Sequence, residues 1–266
     1  MSLKTQAIQY INDYLPRTSA EDKPSPWKNI NRSMLADGLK ARIEDPTLVS
    51  SSGVNLCGPA AFFHNLAHDN PLMFAKCGVD LYRSNLANIG DRTFNAGQDL
   101  LNSTPPTGVD PADWILLASL RDHQNVYLDY ESGEGTLSGL SMPGALEKWF
   151  RQAGYENVRN EANIFFHKSD TDLSRASGLV DEGHRVCLLI DVAMLSNRRL
   201  NNFSPYPDHW VVLKKTLQGS AVTIDKDKVT LNIHSWGKMM KVPDHGSMKR
   251  RDFMRNYYGH ISAKPA

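Results

Sequence analysis

Cysteine is scarce in this chain. There are three in 266 residues, Cys57, Cys77 and Cys187, and no CxxC pair. Three thiols cannot all pair within one chain, so neither a disulfide framework nor a cysteine-rich zinc site is expected, and at least one thiol is left for chemistry. That usage suits synthesis in a reducing compartment. Net charge is nearly absent as well, with 30 basic against 29 acidic residues. No global field then recruits nucleic acid or an anionic membrane. No apolar run approaches the roughly 18 residues that a spanning helix needs. The first residues, MSLKTQAIQYINDYL, are broken by Asn12 and Asp13 and carry no apolar core with a small-residue cleavage site. The expectation is a soluble protein made in the cytoplasm without a cleaved signal, and exported, if at all, by a specialised system. Internal repeats and low-complexity tracts are missing.

What is present reads as helices first and strands second. Helical periodicity covers residues 4–14 and 33–43, with a polar linker, Pro16 to Pro26, between them. A third helix is predicted from Cys57 to about Asp69. Asn70-Pro71 supplies a cap and a first-turn proline for the next helix, which Gly78 is expected to end. Further helices are predicted at 92–102, 111–122, 144–154, 171–182 and, last, 248–260. Beyond residue 185 the pattern turns to short apolar runs of strand type at 186–190, 210–213, 221–224 and 229–233, with turns at Gln218-Gly219-Ser220 and Asp225-Lys226-Asp227. The expected class is α+β in a single domain, a helical lobe over 1–184 and a β lobe over 185–266. Lys238, Lys241, Lys249, Arg250, Arg251 and Arg255 gather near the end of the chain. Their expected role is a solvated basic face, with a dock for an anionic partner as the second reading.

The segment Leu56-Cys57-Gly58-Pro59-Ala60-Ala61-Phe62-Phe63 carries the most chemistry. A cysteine at a helix start sits where unpaired N–H groups and the positive dipole end favour a thiolate. Its small neighbours leave room for a substrate carbonyl, and its own N–H can donate to an oxyanion. A base must lie within hydrogen-bond reach of the thiol. His64 shares a helical stripe with Cys57 but stands about 10 Å along the axis, at ~1.5 Å per residue. The spacing His64-x-x-x-His68 alone supports a metal pair only weakly, so a structural role is expected there and no metal or cofactor is implied. His209 is the stronger base. It opens the strand Trp210-Val211-Val212-Leu213, and a strand end fixes a side chain while projecting it into a cleft.

A third motif, Asn232-Ile233-His234-Ser235-Trp236-Gly237, ends a later strand. The order of cysteine, histidine and a polar residue before Ser-Trp-Gly resembles the papain-like superfamily of cysteine hydrolases. Leu-Cys-Gly-Pro-Ala-Ala and His-Trp-Val-Val look most like its compact bacterial versions, among them cell-wall amidases and secreted effector toxins. The resemblance covers three short motifs. It implies a papain-like fold and a thiol protease or amidase that cleaves an amide or peptide bond through a thioester, with Cys57 as nucleophile, His209 as base and Trp236 shielding them. It implies a protein, peptide or peptidoglycan substrate and, for a toxin, an immunity or inhibitor protein. Papain-like members carry asparagine before Ser-Trp-Gly where this chain has His234, and histidine is common there in bacterial cell-wall forms. His234 is therefore favoured as the orienting residue, with Asn232, Ser235 and Asp225 open. Strand alternation places Ile233 and Ser235 on one face and Asn232 and His234 on the other, and only one face can look at His209. The family's glutamine before the cysteine is missing, and Asn55 or a serine among Ser50 to Ser52 is the substitute. Two further readings stand beside this one: a papain-like scaffold without activity, and a histidine-based metal-binding protein that acts by partner binding.

Overall fold

The computed structural model describes residues 1–15, 24–124, 141–195, 206–216, 219–243 and 248–266. Most of the linker at 16–26, the Ser204-Pro205 pair and Gln218 lie outside them. The chain is a mixed α and β protein that divides into two compact units, Met1–Ser141 and Met142–Ala266. No helix among the described residues is long and apolar enough to cross a membrane.

The first unit is mainly helical. Helix α1, Leu3–Tyr14, is capped by Ser2, whose side chain accepts from the Thr5 N–H. Helix α2, Arg32–Glu44, is capped in the same way by Asn31. Helix α3, Cys57–Asp69, begins at the cysteine as the sequence predicts, and every residue from Cys57 to Ala67 is buried. Helix α4, Pro71–Ser84, has the expected Asn70 cap and first-turn proline. It does not end at Gly78. The helix runs on to Ser84 and stops at Asn85, which takes the left-handed conformation at φ 54°. Gly78 serves packing instead: a Cβ there would lie 2.6 Å from Leu39 Cδ2, so the glycine lets α2 and α4 approach closely.

The helix predicted over 92–102 is also corrected. Ala87–Ile89 (β1) and Arg92–Phe94 (β2) pair as a hairpin, and only Gln98–Asn102 (α5) is helical. Helix α6 starts at Pro111, runs to residue 124 and widens into a π-helical stretch at Trp114–Ala118.

The second unit is built on an antiparallel sheet. Its elements are α7 (Pro143–Gln152), β3 (Glu156–Asn160), α8 (Asp170–Asp181), β4 (Arg185–Ile190), β5 (His209–Leu213), β6 (Val222–Asp225), β7 (Lys228–Ser235), β8 (Lys238–Val242), β9 (Met248–Lys249), α9 (Arg250–Met254) and β10 (Tyr257–Lys264). The strand order is β3-β10-β4-β5-β7-β6, with β8 and β9 also pairing β7. One face carries Val186, Leu188, Ile190, Val211, Leu213 and Ile233 into a core shared with Leu173 and Ala176 of α8.

A single helix over 248–260 is not what forms. Strand β10 lies between β3 and β4, and Tyr257 to Ala263 are buried. Aromatic and β-branched residues suit a strand covered on both faces. Gly259, at φ 107°, breaks helical geometry, and a side chain there would run into the Glu161 carbonyl.

Candidate active site

Strand pairing decides which polar groups meet His209. In β5 and β4, His209 stands opposite Ile190, and Val211 opposite Leu188. In β5 and β7, Val212 stands opposite His234 and Leu213 opposite Ile233. Opposed residues share a face and neighbours along a strand alternate. His209, Val211, Leu213, Ile233 and Ser235 therefore look one way, and Trp210, Val212 and His234 the other.

The side chains follow the register. His209 Nε2 and Ser235 Oγ are hydrogen-bonded at 2.8 Å. His234, the favoured orienting residue, is buried on the opposite face, and Ser235, one of the residues left open beside it, is the one that meets His209. Asn232 and Asp225 are engaged elsewhere. Asn232 donates its side-chain N–H to the Ser220 carbonyl at 2.9 Å. Asp225 pairs with Lys228 at the far end of β7, seven residues and roughly 23 Å from Ser235 at ~3.3 Å per residue.

Trp236 completes this group. Ser235 and Lys238 face each other across β7 and β8, leaving Trp236-Gly237 as a two-residue turn with φ of 50° and 74°. Such turns need positive φ at both positions, which suits glycine and strains a bulky residue by roughly 1–2 kcal/mol. The strain places the indole 5.1 Å from the imidazole, ring centre to ring centre, at an angle of 42°. Backbone strain of this kind is a marker of functional positions. His209 itself is only 6% exposed, and burial pulls its pKa down to about 4, so the ring is neutral at pH 7.

The cysteine motif belongs to the first unit. Cys57 is the first residue of α3 and is 6% exposed. No side chain caps this helix, whose preceding residue is Leu56. The first-turn N–H groups of Cys57 and Gly58 thus have no side-chain acceptor from the cap position, and Pro59 has no N–H to offer. Arg121, near the end of α6, lies within electrostatic reach of the thiol: burial lowers its pKa, while the interaction with Cys57 raises it. Nothing in the local sequence marks Arg121, since the contact is tertiary.

In the chain leading to Cys57, the backbone of Ser50 is tied to a buried ion pair. Asp113 accepts from Arg42 Nε at 2.7 Å and Nη2 at 2.6 Å, and also from the Ser50 backbone N–H at 3.2 Å. His64 Nδ1–H donates to the Pro46 carbonyl at 2.9 Å, which ties α3 to the same stretch. Asn55 is exposed, and Ser51 is buried.

Comparison of the chain with protein-family models, with curated proteins and with solved structures gives no match.

Other nucleophiles and ligands are less suitably placed. Cys77 and Cys187 are fully buried. Burial pushes the Cys77 thiol well above its ordinary pKa, and that thiol donates to the Asn88 carbonyl at 3.4 Å. Among the described residues, no group of three or more His, Cys, Asp or Glu is placed to hold a metal ion. His68 Nδ1 instead meets the Asp69 carboxylate at 2.8 Å.

Proposed function

We propose that the protein is a papain-like cysteine hydrolase acting on an amide or peptide bond, with Cys57 as nucleophile and His209 as base. The observation that carries the reading is the His209–Ser235–Trp236 group. A buried neutral imidazole has one nitrogen held by a hydroxyl, and a tryptophan in a strained turn covers the ring. With Nε2–H donating to Ser235 Oγ, the lone pair of His209 is on Nδ1, where it accepts the thiol proton. The Cys57 thiolate attacks the carbonyl carbon, and the N–H groups of Cys57 and Gly58 donate to the oxyanion. The imidazolium then gives its proton to the leaving amine as the C–N bond breaks and a thioester remains. Water, deprotonated by His209, releases the acid and the thiol. The motif resemblance extends this reading to a bacterial effector or toxin.

Thiol mapping tests the assignment. Limiting iodoacetamide near neutral pH is expected to alkylate Cys57 at least tenfold faster than Cys77 or Cys187, by mass spectrometry of the digested protein. His209→Ala is expected to remove amide turnover as fully as Cys57→Ala, because base and nucleophile act as one unit. Equal labelling of the three thiols, or full turnover by a folded His209→Ala protein, overturns the reading.

A further inference from the structure

The connection between β3 and α8 displays two aromatic side chains in water. Asn163 Oδ1 accepts from the backbone N–H of Phe165 at 2.8 Å and of Phe166 at 3.2 Å, which folds a tight turn. The turn is fastened to β10 on both sides: the Asn163 N–H donates to the Tyr258 carbonyl at 2.8 Å, and the Lys168 N–H to the Tyr257 carbonyl at 2.9 Å. Phe165 is nevertheless 65% exposed and Phe166 69%. Tyr206, itself 44% exposed, meets Phe165 edge to face, with centres 6.4 Å apart at 82°. Isolated exposed apolar residues are ordinary, but two on an anchored turn with a third ring packed against one of them form a patch that marks a contact surface.

This patch and His209 share one end of the sheet. Tyr257, Ile190 and His209 lie abreast on β10, β4 and β5. The turn is bonded to Tyr257, about two strand spacings or ~10 Å from His209, and Tyr206 precedes the histidine by three residues.

We propose that Phe165, Phe166 and Tyr206 form a subsite that takes an apolar side chain of a peptide substrate. The proposal rests on the reading of His209 as the catalytic base. Two rings at 82° enclose a corner, and a corner admits a branched aliphatic or aromatic side chain. A sugar ring or a nucleobase would instead stack on a flat ring face. The substrate class is thus a peptide with an apolar residue near the scissile bond, and a charged side chain is disfavoured there by the loss of its hydration.

Equilibrium binding to the full-length Cys57→Ala protein tests the subsite without turnover. The probes are three fluorescein-labelled blocked pentapeptides, Gly-Leu-Gly-Leu-Gly and its Ser and Asp counterparts. Burial of one leucine side chain is worth about 1.5–3 kcal/mol, so the Leu peptide is expected to bind on the order of tenfold to a hundredfold tighter than the Ser peptide. The Asp peptide is expected to bind weakest. Adding Phe165→Ser and Phe166→Ser, with the melting temperature unchanged, is expected to shrink the Leu–Ser gap below threefold. Equal or undetectable binding of the Leu and Ser peptides, or a gap that survives the double substitution, overturns the proposal. So does a dimer in sedimentation that the double substitution dissociates, since the patch then serves a second copy. Iodoacetamide mapping of the parent protein reads the role of Cys57 separately, so a failed subsite and a failed nucleophile give different results.

Discussion

A serine hydroxyl carries no charge, and that bounds what Ser235 can contribute beside His209. It shares one hydrogen bond with Nε2 and so fixes ring orientation, and the tautomer with Nε2–H as donor leaves the lone pair on Nδ1. A hydrogen bond that strengthens as the ring becomes charged is worth about 1.5–3 kcal/mol. Ser235→Ala is therefore expected to lower kcat/KM on the order of tenfold to a hundredfold, while His209→Ala removes nearly all turnover. His234 is 3% exposed on the opposite face, away from His209. His234→Ala is expected to cost stability and to leave kcat/KM within threefold once corrected for the folded fraction. Rates of the three variants on one amide substrate check this ordering. A silent Ser235→Ala beside a damaging His234→Ala would reverse the assignment. Alternation along β7 alone separates Ser235 from His234. Which of the two faces His209 depends on the β5–β7 register, and no local pattern encodes that.

Among whole elements, the readable ones carry both a period and a punctuation mark. Helix α3 has its small and apolar run, and α4 has Asn70-Pro71. Strands β4 and β5 have unbroken apolar stretches, and the structure puts them near the predicted places. The misread elements are those where tertiary contact overrides a local signal. Gly78 looks like a helix stop yet sits inside α4 against Leu39. Met248 to Arg255 favours helix, and five residues of it obey, while Tyr257 to Lys264 is drawn into the sheet beside β4. Two of the helical glycines, Gly78 and Gly178, make the distinction measurable. Alanine gains up to about 1 kcal/mol over glycine in a helix from propensity alone. Gly178 in α8 has no atom within 4 Å of the place a Cβ would take, so Gly178→Ala is expected to stabilise by about 0.5–1 kcal/mol. At Gly78 the new methyl meets Leu39, a fully buried side chain, at 2.6 Å. Overpacking there costs about 1–3 kcal/mol, so Gly78→Ala is expected to destabilise despite its better propensity. Urea unfolding of both variants checks the contrast, and equal gains would show that α2 and α4 do not need the close approach.

For the molecule as a whole, the second unit stores a dependence on pH in its sheet. His209 on β5 and His260 on β10 are buried, at 6% and 0% exposure, and burial lowers both to about pH 4 from an ordinary value near 6.5. Around His260, Glu161 and Asp172 oppose the shift, and Arg175 and Lys168 reinforce it, but burial dominates. Between pH 4 and 6.5 the unfolded chain holds protons on these two rings that the folded chain does not. Stability therefore rises with pH through that window, is fully present above about 6.5, and is lost as pH falls toward 4. Each ring contributes up to about 3 kcal/mol. Unfolding free energy measured by urea is expected to be higher at about pH 7 than at about pH 4.5, with the raised carboxyl of Asp113 in the first unit offsetting part of the gain. His260→Gln is expected to remove that ring's own share of the rise, because an amide does not titrate. The same protonation strips His209 of its basic lone pair, so the acid limb of kcat/KM is expected well below about pH 6.5, near the unfolding transition. A stability that is flat between those two pH values, or a slope unchanged in His260→Gln, would show that these histidines do not set the acid limit of the fold.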